Sequence, residues 1–344
     1  MAIDEFETEP TLKDIAAATG LSLAAVSKVL NNREGVSQAN RERVMRTMTA
    51  LGYRKRKGRS SIEPLRQASV LTLGRYASND SFYGEILNGI IEAGTSEGIA
   101  IDVKIASDGT GSGLIEHLFP SGLPNALLLV GIDNPALIEQ IADAGIRSVL
   151  VNGMDRGMRL SSVSPDYHFG GWLATWHLIE LGHREILHVT HPYRESIRQR
   201  MDGFRNAIQE TGITFEPERH VLDLGTPQLM TIDARGIISD YLAKTARPPT
   251  AIVCVNDIVA IATIQAIQSH GLSVPDDISV IGFDDLPVGA HSSPPLTTMR
   301  VDREELGRSA VRLLQTASSA STVRRMALGT TLVKRGSTSE KPSL

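Results

Sequence analysis

The sequence predicts a small all-α domain at the N-terminus and, after it, a larger α/β domain built of two lobes. Two observations support this assignment. Apolar residues recur at helical spacing between residues 11 and 51, whereas from Arg66 onward short apolar runs alternate with amphipathic helical segments. A length of 344 residues is enough for two or three domains, and a content of 41% hydrophobic and 22% charged residues is typical of a soluble globular protein.

The first segment, residues 11–31, is predicted to form two short helices joined by a tight turn. Thr11 and Asp14 stand three residues apart, as in a capping box, and Ser22 can cap the second helix. Gly20 supplies the positive φ that a sharp turn needs. The inward-facing positions of the second helix are Val26, Val29 and Leu30. Its opposite, solvent-facing side carries Leu23, Ala24, Ser27, Lys28 and Asn31.

A third helix and a concentration of positive charge follow. Ser37 is the predicted cap of this helix, and Val44, Met48 and Leu51 are its predicted buried stripe. Residues 10–66 hold 12 Lys and Arg against 4 Asp and Glu, a net charge of +8 in a chain whose net charge is −4. An ordinary helical hairpin would explain the first two helices alone. The third helix and the basic charge favour a helix-turn-helix whose second helix enters a DNA major groove.

Residues 55–66 are predicted to be a basic hinge or linker between the two domains. The stretch is rich in Lys, Arg, Gly and Ser and contains Pro64. Such a run is often only a solvated connector. Beside a DNA-reading module, however, it adds a salt-dependent attraction to phosphates, and we expect that second role.

Six apolar runs after the linker are predicted to be buried strands of parallel sheets. They are residues 70–73, 126–130, 148–151, 186–189, 251–255 and 279–283. Helices are expected around residues 83–97, 134–144, 168–181, 199–211, 233–244 and 257–270. The length of this region, with a charged and proline-containing break near residues 155–165, predicts two lobes and a cleft at the carboxyl ends of the strands.

Other features narrow the class of protein. Residues 1–10 are acidic and are expected to be a disordered tail rather than a secretion signal. No apolar run approaches the ~20 residues of a membrane span. The single cysteine, Cys254, lies in an apolar run and is expected to be a small buried hydrophobe in a reducing compartment. We therefore expect a cytoplasmic protein, and the sequence contains no motif that predicts a catalytic centre, a metal site or a cofactor.

Motifs along nearly the whole chain resemble those of the LacI/GalR (lactose-repressor) family of bacterial transcription regulators. In the N-terminal segment the matches are residues 11–16, 19–22, 26–31, 36–37, 41 and 51–53. In the larger domain they are residues 166, 170, 181–183, 200–204, 256–257, 279–285 and 294–298. The resemblance implies a helix-turn-helix DNA-binding domain and a periplasmic-binding-protein-like effector domain.

The same resemblance implies the following domain boundaries. The DNA-binding domain takes residues 11–54, the hinge 55–66, the effector-binding and dimerisation domain 67–335, and a C-terminal tail 336–344. Lobe 1 is expected at about residues 67–163 and 296–324, and lobe 2 at about residues 164–292 and 325–335.

The resemblance also implies which residues contact DNA. The positions of Leu23, Ala24 and Lys28 read bases in the family, and Lys28 stands where an arginine with a bidentate fork is common. The other implied contacts of this domain are Thr11, Leu12, Ser22, Ala25, Ser27, Asn31 and Tyr53. In the hinge, Lys55, Arg56, Arg59 and Ile62 replace a Pro, an Asn, an Ala and a Leu of the family pattern. We infer a hinge that depends on charge more than on an apolar wedge in the minor groove.

Ligand-binding positions of the family match Arg200, Asn256 and Asp284, and Asn152 falls on another. A guanidinium, an amide and a carboxylate together suit the vicinal hydroxyls of a sugar, although Asn256 could instead cap a helix and Asp284 could form a strand-end turn. Phe82 and Tyr83 are candidates to stack on a sugar ring, and Val163 lies near the crossing between lobes. Arg75, Arg200 and Arg303 leave an acidic or phosphorylated effector open.

The function implied by the resemblance is that of a repressor that binds operator DNA as a homodimer and senses a sugar, sugar acid or sugar phosphate. A transport-type solute-binding protein and an α/β enzyme are the alternatives. The basic N-terminal module argues against the first, and the missing catalytic motif argues against the second. A corepressor-dependent regulator or an activator stays open.

Overall fold

The computed structural model describes residues 12–30, 36–51, 65–77, 81–106, 118–120, 122, 124–191, 193–225, 234–317 and 322–341. The chain divides into two compact units, residues 1–63 and 64–344, so the division falls inside the predicted hinge. No helix in the described part of the chain is both long and apolar enough to cross a membrane.

The first unit contains three helices, α1 (Leu12–Thr19), α2 (Leu23–Leu30) and α3 (Gln38–Ala50). Gly20 has the predicted positive φ of 63°, and the Ser22 and Ser37 hydroxyls accept hydrogen bonds from the backbone N–H groups of Ala25 and Asn40. The helices enclose a small core of Ile15, Val26, Val29 and Val44. The helix-turn-helix, both serine caps and the burial of Val26, Val29 and Val44 are therefore confirmed.

One prediction for this unit is wrong. Leu51 was expected in the buried stripe of α3, but its side chain is 40% exposed. It is the C-cap residue of α3, and its backbone N–H still donates to the carbonyl of Thr47, so its exposure follows from its place at the end of the helix, whereas Val44 is inside and Met48 partly inside. Thr11 and the side chain of Leu30 lie outside the described residues.

The second unit is built on two six-stranded sheets. The first holds β1 (Gln67–Leu73), β2 (Ala100–Ala106), β3 (Ala126–Val130), β4 (Arg147–Val151), β5 (Ser161–Pro165) and β11 (Arg325–Leu328). The second holds β6 (Ile186–Thr190), β7 (Val221–Asp223), β8 (Ala251–Cys254), β9 (Ser279–Asp284), β10 (Thr297–Arg300) and β12 (Thr331–Val333). Their orders are β11-β5-β4-β3-β1-β2 and β12-β10-β9-β8-β6-β7, and β12 is antiparallel to β10 whereas the other pairings are parallel. All six predicted strands are confirmed.

Helices connect these strands. They are α4 (Gly74–Ala77), α5 (Ser81–Ser96), α6 (Pro135–Asp143), α7 (Tyr167–Glu180), α8 (Glu195–Glu210), α9 (Pro217–His220), α10 (Ala234–Lys244), α11 (Asp257–Ser269), α12 (Pro287–Ala290) and α13 (Arg303–Thr316). The six predicted helices correspond to α5, α6, α7, α8, α10 and α11. Apolar side chains from strands and helices form two buried clusters, so the sheets are cores of two lobes.

The predicted lobe boundaries are wrong at the C-terminal end. Residues 296–324 were expected in lobe 1 and residues 325–335 in lobe 2, but β10 belongs to the second sheet and β11 to the first. Thr297 pairs with Ile281 of β9, so the chain stays in lobe 2 past the prolines before β10 and crosses only after Arg300. It crosses back between β11 and β12. These edge strands have three or four residues and are partly exposed, so their apolar pattern does not identify their sheet.

Residues 336–341 pack on lobe 2 and are not a free tail. The hydroxyl of Ser337 is buried, donates to the carbonyl of Val280 at 2.6 Å and accepts from the backbone N–H of Thr297. The imidazole of His183 lies between the hydroxyl of Thr250 and the carbonyl of Ser339. The segment thus satisfies backbone groups of β9 and β10, which hydropathy alone does not reveal.

Close packing of α7 on α8 fixes one wall of the space between the lobes. A Cβ at Gly203 would overlap the backbone carbonyl of His168, and a Cβ at Gly171 would overlap the backbone of Arg200. Glycine at these two positions lets the helices approach closely, and this contact places Arg200 beside the carboxyl end of β9.

Candidate sites: the space between the lobes and the recognition helix

Arg200 is the centre of the candidate site in lobe 2. Its guanidinium is buried between the rings of Tyr167 and Phe283, with its central carbon 4.4 Å and 4.0 Å from the two ring centroids. It donates to Asp284 Oδ1 at 3.3 Å and to the carbonyl of Val255. Arg200 and Asp284 are therefore brought together as predicted. They form an ion pair with each other.

A strained turn carries Asp284. Asp284 and Asp285 have φ angles of 112° and 54°, in the region that non-glycine residues rarely adopt. Asp257 holds the turn, because its carboxyl accepts the backbone N–H of Leu286 at 2.6 Å and the hydroxyl of Thr298 at 2.5 Å. Burial, reinforced by the carboxylate of Asp284, raises the pKa of Asp257 to about 7. A residue of the second lobe's core thus controls the geometry of a predicted ligand-binding carboxylate.

Several buried polar atoms of lobe 2 have no hydrogen-bond partner in the described residues. They include Arg200 Nε, Thr190 Oγ1, His188 Nε2 and both ring nitrogens of His191. Burial, with a smaller effect of the Arg200 charge, lowers the pKa of both imidazoles to about 4, so they are neutral at physiological pH. Since buried polar groups normally have partners, these atoms are suited to a polar ligand or to water.

A hydrogen-bonded ladder joins the lobes through Asn152. The hydroxyl of Tyr167, from lobe 2, donates to Asn152 Oδ1 at 2.6 Å, and Asn152 Nδ2 donates to the hydroxyl of Tyr83 at 3.1 Å. Burial raises the pKa of Tyr167 to about 12 and that of Tyr83 well above its usual value, so both phenols stay neutral; the hydroxyl of Tyr167 donates and that of Tyr83 accepts. Asn152 is thus at the lobe boundary, as the sequence predicts.

The guanidinium of Arg303 is bound by one carboxylate and by a backbone carbonyl. It pairs with the carboxylate of Glu85 at 2.8 and 2.9 Å and donates to the carbonyl of Asp284. It therefore links α5 and α13 of lobe 1 to the Asp284 turn of lobe 2.

Several predicted effector contacts serve other roles in the structure. Phe82 and Tyr83 are buried, with Tyr83 stacked on Tyr76 at 4.1 Å, so neither ring is open for stacking on a sugar. The side chain of Val163 is fully buried in β5. Its backbone carbonyl accepts a hydrogen bond from the Asn152 N–H. Asn256 caps α11 through a bond from the N–H of Val259 at 2.9 Å. The side chain of Arg75 lies outside the described part.

A cavity near the lobe boundary has a volume of about 480 Å³. Its walls come from Leu73 and Tyr76 at the end of β1 and in α4, from residues 131–138 after β3, from residues 154–159 after β4, and from residues 193–198 at the start of α8. A second compartment of only about 10 Å³, lined by Asn152, Tyr167 and Gln199 among others, shares Asp133, Met154 and Glu195 with it. Arg200, Asn256 and Asp284 line neither space.

In the first unit, α2 presents the predicted DNA-reading face. Lys28 is exposed in its last turn, Ser22 is exposed at its start, and Ala25 is partly buried. Leu12, Leu23, Ala24 and Ser27 lie in the predicted helices, but their side chains are outside the described part of the structure. Also outside it are Thr11, Asn31, Tyr53, Lys55, Arg56, Arg59 and Ile62.

Comparison with known proteins decides the family. A model for bacterial regulatory proteins of the lacI family matches residues 11–55, and a model for a periplasmic binding protein-like domain matches residues 175–338. The HTH-type transcriptional regulator reg1 of Streptomyces lividans is 31% identical over 341 residues, covering 96% of this chain and 97% of the relative. The chain belongs to the lacI family of bacterial transcriptional regulators.

Solved structures of the lacI family share the fold over nearly the whole chain. A complex of the transcriptional regulator CelR with cellobiose has a TM-score of 0.69 at 26% identity, covering 95% of this chain and 99% of that one. A lac repressor dimer bound to operator and the anti-inducer ONPF has a TM-score of 0.68 at 24% identity, covering 96% and 100%. The resemblance stated from the sequence motifs and the predicted two-part fold are confirmed.

For this lacI-family regulator, sequence reasoning missed Arg194. It begins α8 in lobe 2, yet it donates to Asp133 Oδ2 at 2.8 Å, to the hydroxyls of Tyr83 and Tyr76 at 2.6 and 3.0 Å, and to two carbonyls, all in lobe 1. Its side chain is 10% exposed. The signal available in the sequence was its place just after the carboxyl end of β6, which is where ligands bind open α/β sheets.

Proposed function

We propose that this lacI-family regulator is a repressor that binds operator DNA as a homodimer. Its affinity for that DNA falls or rises when an uncharged, sugar-like effector binds between its lobes. The observation that carries the proposal is the set of neutral and charge-paired polar groups where the lobes meet: Asn152, Tyr167, Arg194, Arg200 and Asp284. Such groups serve the donor and acceptor needs of hydroxyls.

The arginines favour an uncharged effector over a sugar acid or phosphate. Arg200 is paired with Asp284, Arg303 with Glu85, and Arg194 with Asp133. An anionic ligand would have to displace a carboxylate from each guanidinium, whereas a hydroxyl can add to a pair without breaking it. The acidic effector that the sequence left open is therefore the weaker candidate.

We propose that the effector changes DNA affinity by replacing contacts that join the two lobes. Arg194 and the Tyr167–Asn152 bond join the lobes in the described structure, and Arg156 of lobe 1 pairs with Glu195 of lobe 2 at 2.5 Å. A ligand that binds one lobe arrangement better shifts the population toward it and thereby changes DNA affinity. The sign of that change, induction or corepression, decides between the two forms of regulator.

A regulatory role is proposed in preference to an enzymatic one, and in the cytoplasm, where chromosomal DNA lies. Cys254, the one cysteine of the sequence, is buried, and burial raises the pKa of its thiol to about 12. It therefore stays protonated and does not act as a nucleophile.

The effector class is tested by thermal shift of the full-length protein with matched ligands: glucose against glucose 6-phosphate and gluconate, and galactose against galactonate. We expect a ligand-dependent rise of the melting temperature with at least one uncharged sugar and a smaller rise with its acidic partner. Stabilisation by the acids or phosphates alone would contradict the uncharged effector.

A further inference from the structure

The six strands of the first sheet run parallel, so their amino ends lie along one edge, which we call the amino edge of lobe 1. Four arginines lie along it: Arg66, Arg147, Arg324 and Arg325. The register places Arg147 beside Ala126, the first residue of β3, and Arg325 beside Ser162 of β5. Neighbouring strands are about 4.8 Å apart, so the row from β1 to β11 is about 20 Å long.

These four guanidinium groups form no ion pair with a described residue. Arg66, Arg324 and Arg325 are exposed, and Arg147 is partly exposed. Arg324 donates to the hydroxyl of Thr316 at 3.0 Å, and Arg325 donates to the carbonyl of Asp155 at 3.3 Å. Both acceptors are uncharged, so the positive charge of each guanidinium is left to attract another anion.

Arginines at the opposite edge of the same sheet are paired with carboxylates. Arg156, after β4, pairs with Glu195 at 2.5 Å, and Asp133, after β3, pairs with Arg194 at 2.8 Å. The edge at which the two lobes meet is therefore balanced in charge. The unbalanced charge of the amino edge is not a general property of this lobe.

Carboxylates near the amino edge do not neutralise the row. Asp102 pairs with Lys104 at 3.1 Å, and Glu97 accepts a hydrogen bond from a glutamine of α13. Asp143 and Arg147 both line a cavity of about 220 Å³, but they form no ion pair among the described contacts. The edge thus keeps an excess of positive charge in a chain whose net charge is −4.

DNA is the polyanion to which the chain connects this edge. The compact unit that contains the helix-turn-helix ends at residue 63, and β1 begins four residues later. Leu51 and Leu65 are fourteen positions apart, a connection that spans at most about 50 Å. A duplex carries one negative charge per about 1.7 Å of its axis, so a row of about 20 Å matches several phosphates.

We propose that the amino edge of lobe 1 is a second DNA-contacting surface, which binds phosphates of the duplex that the helix-turn-helix reads; the inference rests on the proposed function. Guanidinium groups suit this role because they donate paired hydrogen bonds to phosphate oxygens. The contacts add affinity without base preference, since phosphates carry no direct sequence information.

The test is fluorescence anisotropy of the full-length protein on a selected duplex and on random DNA, between about 50 and 200 mM salt. Two double variants remove charge from the edge: Arg66→Gln with Arg147→Gln, and Arg324→Gln with Arg325→Gln. The matched control is Arg235→Gln with Arg247→Gln, which removes two exposed arginines of lobe 2 that form no ion pair with a described residue. Circular dichroism melting and sedimentation confirm that each variant is folded and assembles as the wild type does.

We expect each edge variant to lower the slope of log affinity against log salt concentration by about 1 to 2, and to weaken binding roughly tenfold at the lowest salt concentration. The loss should be equal for selected and random DNA, and the control should change neither quantity. Arg324→Lys with Arg325→Lys should restore most of the slope, because a lysine keeps the charge. Slopes that both edge variants leave unchanged, or an equal fall in the control, would overturn the second surface.

The outcomes also separate this inference from the proposed function. If the wild type prefers the selected duplex while the edge variants behave like the control, the regulator stands and the second surface is rejected. If the wild type prefers no duplex, the proposed repressor is rejected, and the salt dependence on random DNA decides the second surface by itself.

Discussion

Arg194 shows what a single side chain does at the boundary of the lobes. Its guanidinium leaves lobe 2 and satisfies a carboxylate, two phenols and two carbonyls of lobe 1. Burial opposes its charge, but attraction to the Asp133 carboxylate and the hydrogen bond to it outweigh this cost, so the pKa of Arg194 lies well above the usual value and it remains charged. Removing it leaves Asp133 and the two hydroxyls without their main donor.

We expect Arg194→Met to lower the free energy of unfolding by about 2 kcal/mol, as for loss of a partly buried, hydrogen-bonded charge. Its radius of gyration without ligand should increase as the lobes separate. Urea unfolding and small-angle X-ray scattering measure the two effects. Arg205→Met is the control, because Arg205 lies on the same helix and pairs with Asp202 where both side chains are over 40% exposed. Equal behaviour of the two variants would contradict the role of Arg194.

Asp257 gives the stability of lobe 2 a distinctive pH dependence. Its pKa is raised from 3.8 to about 7 in the folded state, so the folded state binds the proton more tightly. The resulting stabilisation is complete below pH 3.8 and is lost as the pH rises through about 7. His188 and His191 act oppositely, because their lowered pKa makes their contribution disappear as the pH falls from 6.5 toward about 4.

Comparing the unfolding free energy of the wild type with that of Asp257→Asn separates the effect of the Asp257 carboxyl from that of the histidines, because both proteins contain the same histidines. Between pH values of about 5 and about 7.5, the wild type should lose roughly 2 kcal/mol of unfolding free energy relative to the variant. Urea denaturation at a series of pH values measures the difference. Two curves that run parallel over this range would show that Asp257 does not titrate there.

Among the described side chains of α2, that of Lys28 is exposed in the last turn, which fits base reading. Lys28→Ala should weaken binding to a selected duplex by about tenfold and relax the preference at one base pair, as loss of a specific contact does. Arg46→Ala, an exposed arginine of α3, removes the same charge and should reduce binding evenly across sequences. Fluorescence anisotropy on point-substituted duplexes distinguishes them, and identical base preferences for the two variants would remove Lys28 from the reading face.

At the scale of elements, the helices and central strands follow from the sequence because their signals are local. Runs such as residues 126–130 and 279–283 are buried on both faces and are apolar throughout. The short strands β10 and β11 were placed in the wrong lobe, since sheet membership depends on pairing with residues far along the chain. The docking of Ser337 on β9 was missed for the same reason.

The contact of α7 with α8 is an element-scale feature with a direct test. Gly203→Ala should lower the free energy of unfolding by about 1–3 kcal/mol, because the added Cβ overlaps the carbonyl of His168 and the backbone must shift. Gly84→Ala in α5 meets open space and should be neutral or slightly stabilising. Thermal unfolding of both variants measures this, and equal melting temperatures would show that the helices do not need the close approach.

At the scale of the whole molecule, the order of motifs along the chain was enough to identify the family. The residues that line the space between the lobes could not be read from the sequence, because the fold brings them together. Arg200, Asn152 and Asp284 were predicted because they match family positions, and the structure places them in hydrogen-bonded groups where the lobes approach each other. Arg194, Asp133 and Tyr76 were missed, since each comes from a different loop and none belongs to a motif. Phe82 and Val163 were chosen for their place in the sequence, but the structure buries both.

The central claim is that a helix-turn-helix unit reads DNA under control of a ligand held between two lobes. Its most direct test is fluorescence anisotropy of the full-length protein on a duplex selected from a random pool, at physiological ionic strength, with glucose and galactose each titrated in. We predict clear preference over random competitor DNA and a change of about fivefold or more in duplex affinity with at least one sugar. Equal binding to selected and random DNA, unchanged by every sugar, would contradict it.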